Sequence, residues 1–105
     1  MIVEMRTYKI KRGMRDKILE VLRTKTFDEL KRIGVKCAGP FASIEDDVTI
    51  FWMRGFPDEA ARGPMSDQFY GGAAWKNELA AAFMPNLDKY DVVAVEMPES
   101  SVAWA

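Results

Sequence analysis

Apolar and polar residues alternate through "MIVEMRTYKI" with a period of two, which predicts a strand over Ile2–Ile10. One side of it carries Val3, Met5 and Thr7, the other Glu4, Arg6 and Tyr8. After Gly13 the period lengthens: Ile18, Leu22, Leu30 and Ile33, with Thr26 on the same line, mark a helix between Met14 and Ile33. "TFDE" (Thr26–Glu29) fits a capping box that would break and restart this helix, and Gly34 suits a left-handed C-terminus. Val35–Ile44 reads as a second strand, demoted to an edge or bulged strand by Pro40. A turn at Glu45–Asp47 leads into Val48–Phe56, the strongest strand pattern, so the two strands form a hairpin. Pro57, Asp58 and Glu59 open a short helix expected to end near Arg62–Pro64. "SDQFYGG" reads as a bridge to a second helical piece, Ala73–Met84, stopped by Pro85; Tyr90–Met97 is the last strand.

The order β-α-β-β-α-β is the ferredoxin-like plan, an α+β fold with one four-stranded antiparallel sheet and both helices on one side. Right-handed crossovers give the strand order 4-1-3-2. Phasing each strand by its more aliphatic side turns Val3, Met5, Thr7, Thr49, Phe51, Met53, Val93, Val95 and Met97 toward the helices. The open side then receives Glu4, Arg6, Tyr8, Ile50, Trp52, Arg54, Val92, Ala94 and Glu96. An exposed surface mixing Trp, Tyr and Ile with isolated charges marks an interaction site rather than ordinary wet surface.

Composition narrows the chemistry. The 105 residues make one domain, residues 1–98, with a tail at 99–105. A net charge of −1 with both signs dispersed argues against a nucleic-acid partner, and no apolar run reaches the length of a membrane span. A cytoplasmic setting is the default. The chain has no histidine, which removes imidazole triads and most metal sites, and its single cysteine, Cys37, reads as a buried core residue. No cofactor or metal is expected.

"EMRTYKIKRG", Trp52 followed by "FPDEAAR", and "FYGGAAW" together resemble a NIPSNAP-family domain over nearly the whole chain. That resemblance implies a dimeric α/β barrel, in which two ferredoxin-like sheets of a homodimer meet open face to open face. Glu4, Arg6, Tyr8, Ile50, Trp52, Arg54 and Glu96 would then bind a ligand inside the barrel, with Phe69 and Tyr70 at the cavity mouth. Many family members carry a histidine two residues before the tryptophan; Ile50 stands there instead, which favours an apolar or aromatic ligand.

Roles within that set remain open on sequence alone. Arg6 either anchors a ligand carboxylate or enolate, or is tied to Glu4 or Glu96. Arg54 is placed at a solvated rim, Glu96 is the best available base, and Trp75 with Phe83 reads as core packing. The functional expectation is a homodimer binding a small apolar or aromatic molecule. The alternative is a cofactor-free monooxygenase or cyclase acting on an aromatic or polyketide-like substrate, an analogy of fold only. An RNA-binding sheet is disfavoured by the charge and by the missing consensus of such modules.

Overall fold

The computed structural model describes residues 1–105. Strand β1 (Ile2–Ile10) leads into α1 (Arg15–Val21) and α2 (Phe27–Ile33), joined by a π-helical turn at Leu22–Thr26. β2 (Lys36–Ala42) and β3 (Thr49–Phe56) follow, then α3 (Glu59–Tyr70). A second π-helical turn, Trp75–Leu79, runs into α4 (Ala80–Phe83), and β4 (Leu87–Glu96) closes the fold. The sheet is antiparallel throughout, in the order β2-β3-β1-β4, with the two central strands those expected.

Local chemistry explains the punctuation. Gly34 ends α2 at φ 103°, a left-handed conformation that L side chains resist, and the Met65 side chain crosses close above it. Asp58 caps α3, its carboxylate accepting from the Ala61 N–H at 2.8 Å. β2 is an edge strand whose pairing shifts register between Ala38 and Phe41, around Pro40.

Two helical expectations need correction. The chain does not restart at Thr26: this residue stays helical, makes no cap hydrogen bond, and closes the π-helical turn with its side chain buried. α3 does not stop at Pro64 either. It continues to Tyr70, because burying Phe69 against the core outweighs the hydrogen bond that proline removes.

The larger correction concerns which side of the sheet meets the helices. Tyr8, Ile10, Ile50, Trp52 and Phe56 form one buried cluster with Ile18, Leu22, Phe27, Leu30, Leu79 and Phe83 of the helical layer. The set Glu4, Arg6, Tyr8, Ile50, Trp52, Arg54 therefore faces inward, and Val3, Met5, Thr7, Phe51, Met53, Val93 and Val95 face outward. Two aromatic rings and Ile50 supply more bulk than the opposite side, and the inward charges neutralise one another. Aliphatic count misjudged the phase for that reason.

The tail crosses one end of the outer face. Trp104 rests on Gly55, where a Cβ would lie 3.0 Å from its ring, and its Nε1 donates to the Glu99 carbonyl at 3.0 Å. The Ala105 N–H donates to the Cys37 carbonyl at 2.8 Å, so the tail reaches the edge strand opposite the one it left. Val3, paired with Gly55 and Val95, is fully buried at this corner although it points outward.

Candidate functional site

The inward face of the sheet, α3, the two π-helical turns and the start of β4 border a cleft of about 500 Å³ within one chain, open to solvent beside Met84 and Tyr90. Glu4, Arg6 and Tyr8 enter it from β1, Trp52 and Arg54 from β3, and Tyr90 and Val92 from β4. Arg62, Phe69 and Tyr70 line it from α3, where a spacing of seven and eight residues keeps them on one helical face. Thr26 and Trp75 come from the two π-helical turns, a helix distortion that recurs at functional sites. Phe83, Met84 and Leu87 complete the wall.

One carboxylate organises the polar end. Glu4 Oε1 accepts from Arg6 Nη1 at 2.7 Å and from Arg54 Nε at 2.6 Å, while Oε2 accepts from Arg62 Nε at 2.8 Å. Register makes this possible, since Glu4 stands directly opposite Arg54 and Arg6 opposite Trp52. Arg6 Nε donates to the Tyr8 hydroxyl at 3.1 Å, and Arg54 Nη1 to the Tyr70 hydroxyl at 3.2 Å. The Arg6 and Arg54 guanidinium carbons lie 5.7 and 5.8 Å from the Trp52 ring centre, so the indole is flanked by two cations.

Burial pushes the Glu4 carboxyl up, but Arg54, hydrogen bonds from Arg62 and Arg54, and then Arg6 outweigh it and hold the group below its ordinary value. Burial raises the Tyr8 phenol, against the pull of the Arg6 guanidinium. Tyr8 is therefore a neutral hydroxyl at neutral pH. The aromatic end is built around it, with edge contacts to Trp52 at 5.9 Å, Phe83 at 6.3 Å and Tyr90 at 6.5 Å between ring centres.

Several residues singled out in the sequence meet here: Glu4, Arg6, Tyr8, Trp52, Arg54, Phe69 and Tyr70 all line the cavity. They do so under the helices of their own chain and not in a lumen between sheets. Phe69 and Tyr70 are helical, not in a loop. Ile50 is fully buried core and lines nothing. Glu96, at the end of β4, is exposed and outside the cavity, so it is no buried base. Arg54 is 3% exposed and ion-paired to Glu4, not a rim residue. Of the three partners left open for Arg6, the structure shows Glu4. Trp75 packs on Phe83 as expected but also lines the cavity. Burial pushes the Cys37 thiol up to about 12, and the residue is an inert part of the core.

Sequence reasoning missed Arg62 and Thr26. Carrying α3 past Pro64 would have put Arg62 on the Phe69–Tyr70 face. Nothing in the sequence announces the π-helical turn that presents Thr26. With Tyr8 and Trp52 turned inward, neither offers a platform for stacking bases. No group of three Asp, Glu or Cys side chains is placed to share a metal ion, and no helix is long and apolar enough to cross a membrane.

No family model matches the sequence, and no curated protein matches it. Solved structures do. A NIPSNAP domain protein from Burkholderia xenovorans shares 17% identity at a TM-score of 0.79, over 94% of this chain and 96% of that one. A NIPSNAP family protein from Agrobacterium tumefaciens shares 16% identity at a TM-score of 0.79, over 93% of each chain. A putative antibiotic biosynthesis monooxygenase from Nitrosomonas europaea matches at a TM-score of 0.70 with 10% identity, over 92% of this chain and 98% of that one. The chain thus has the ferredoxin-like α+β fold of NIPSNAP-family proteins over most of its length, as the sequence resemblance implied.

Proposed function

We propose that this is a NIPSNAP-like small-molecule-binding protein that takes a compact aromatic or apolar molecule into the cavity of each subunit. The observation that carries this reading is the cavity itself, a cleft of about 500 Å³ open on one side, aromatic-walled and with a few convergent polar groups at one end. The neutral probe N-phenyl-1-naphthylamine should show enhanced, saturable fluorescence with the native protein, and Met84→Lys at the apolar wall should abolish it. Unsaturable or absent enhancement would overturn the reading.

The working form we infer is a homodimer joined through the outer face of the sheet. Met5, Thr7, Phe51 and Met53 are only partly covered there, Phe41 is 52% exposed and Val93 51%. A contiguous apolar surface of this kind is an interaction site. In sedimentation velocity the protein should run as two chains and Val93→Lys as one, because a lone ammonium in such an interface costs several kcal/mol. A wild-type monomer at micromolar concentration would refute the dimer.

Cofactor-free oxygenation or cyclisation is the second reading, supported by the likeness to antibiotic biosynthesis monooxygenase folds. The raised phenol of Tyr8 suits it to donating a hydrogen bond rather than abstracting a proton. Turnover or oxygen uptake with aromatic substrates separates this reading from binding alone.

A further inference from the structure

We infer that the molecule accepted by this cavity is an aromatic carboxylate, held with its anionic group among Arg6, Arg54 and Arg62 and its ring toward Tyr8. The inference rests on the binding role proposed above and adds the charge and direction of the ligand.

The charge balance comes first. The cavity lining holds three guanidinium groups and one carboxylate, a net charge of +2. Two of the cations are among the most buried charged groups in the chain, Arg6 at 7% and Arg54 at 3% exposure. Arg62 is partly exposed and meets a second carboxylate, Glu59, at 3.5 Å on its outer side, so the buried excess is the one charge by which Arg6 and Arg54 outnumber Glu4. Excess buried charge of one sign calls for a counter-charge.

Hydrogen-bonding capacity points the same way. Both Glu4 oxygens are occupied by guanidinium donors. The Tyr8 and Tyr70 hydroxyls each accept from an arginine, and neither O–H has an acceptor within the protein. The buried Trp52 Nε1 N–H has no partner at all, and the buried Thr26 hydroxyl has none. Unpaired donors outnumber the free acceptors, so the complementary ligand is rich in acceptors. A planar carboxylate is the group that guanidinium forks recognise with two parallel bonds.

Direction follows from register. Along the paired strands the charged residues Glu4 and Arg54 stand opposite one another at one end, and Tyr8 faces Tyr90 at the other. Phe83 meets the Tyr8 ring at that second end. A ligand with one anionic and one aromatic end fits this gradient in a single orientation.

Calorimetric titration of the native protein with 2-naphthoate and its neutral isostere 2-naphthamide, at low salt, tests the inference. Naphthoate should bind about tenfold tighter or more, as expected for one charge-assisted hydrogen-bonding contact. Arg62→Gln, a change at the partly exposed mouth that leaves the core intact, should narrow that ratio several-fold. Naphthamide binding as tightly as naphthoate, or an unchanged ratio in Arg62→Gln, overturns the anionic assignment while leaving an aromatic site in place. Binding of neither compound overturns the cavity reading and this inference with it.

Discussion

Glu4→Gln is expected to lower the free energy of unfolding by about 3–5 kcal/mol, the range for removing one partner of a buried ion pair. The carboxylate holds Arg6 and Arg54 through one oxygen and Arg62 through the other, and the first two have almost no access to water. Glutamine keeps the shape but offers one acceptor oxygen and no charge, so two guanidinium groups stay buried without compensation. Urea denaturation with an unchanged slope would measure the loss. A second substitution, Arg54→Met, made on top of Glu4→Gln should recover part of it, because the penalty lies in the orphaned cation rather than in a missing contact. The sign of the acid response follows from the depressed folded-state value of Glu4. Its contribution is complete above the ordinary value of 4.5 and is lost as pH falls through the lower folded-state value. Glu4→Gln should therefore show a flatter stability profile between 4.5 and that lower value. Equal acid slopes in the two proteins would show that Glu4 carries no such linkage.

Trp52→Ala should cost a similar amount, about 3–5 kcal/mol, by opening a void in the core. The indole is 1% exposed, packs on Phe27 at 5.7 Å and Tyr8 at 5.9 Å between ring centres, and lies 5.7 and 5.8 Å from the Arg6 and Arg54 guanidinium carbons. Trp52→Phe should cost much less, since it keeps most of the packing and removes an N–H that has no protein partner. Trp75→Ala, at a half-buried position on the cavity wall, should be the milder of the two alanine changes. Thermal unfolding of the three variants sets their order. If Trp52→Ala altered subunit association while leaving stability intact, the inward placement of this strand face would be wrong.

The strands were legible because two-residue periodicity, Gly13, Gly34 and the turn at Glu45–Asp47 punctuate them clearly, and β1 was bounded correctly at both ends. Strand order followed from the right-handed crossover rule. The faces were harder, because β1 and β3 are apolar on both sides and the usual signal, charge toward water, fails when charges pair. Glu4 and Arg54 are fifty residues apart, and only the strand register brings them opposite each other. The cavity residues on β1 and β3 could be grouped from alternation alone, whichever way they pointed. Arg62 could not, because Pro64 is a local argument for ending α3 and the burial of Phe69 that overrides it is tertiary. Thr26 was seen on the apolar line of its helix but read as a cap; the π-helical turn that buries it depends on packing against the sheet.

Because neighbouring residues of β1 serve opposite surfaces, the strand has no freedom of length. Substituting Thr7 alters what lies outside, and substituting Arg6 alters what lies within, each alone. Inserting or deleting one residue between Arg6 and Tyr8 would put the residues on one side of the change onto the wrong faces, so that either Glu4 and Arg6 or Tyr8 and Ile10 would turn to the exterior. Divergence along this segment can proceed by replacement but not by indel.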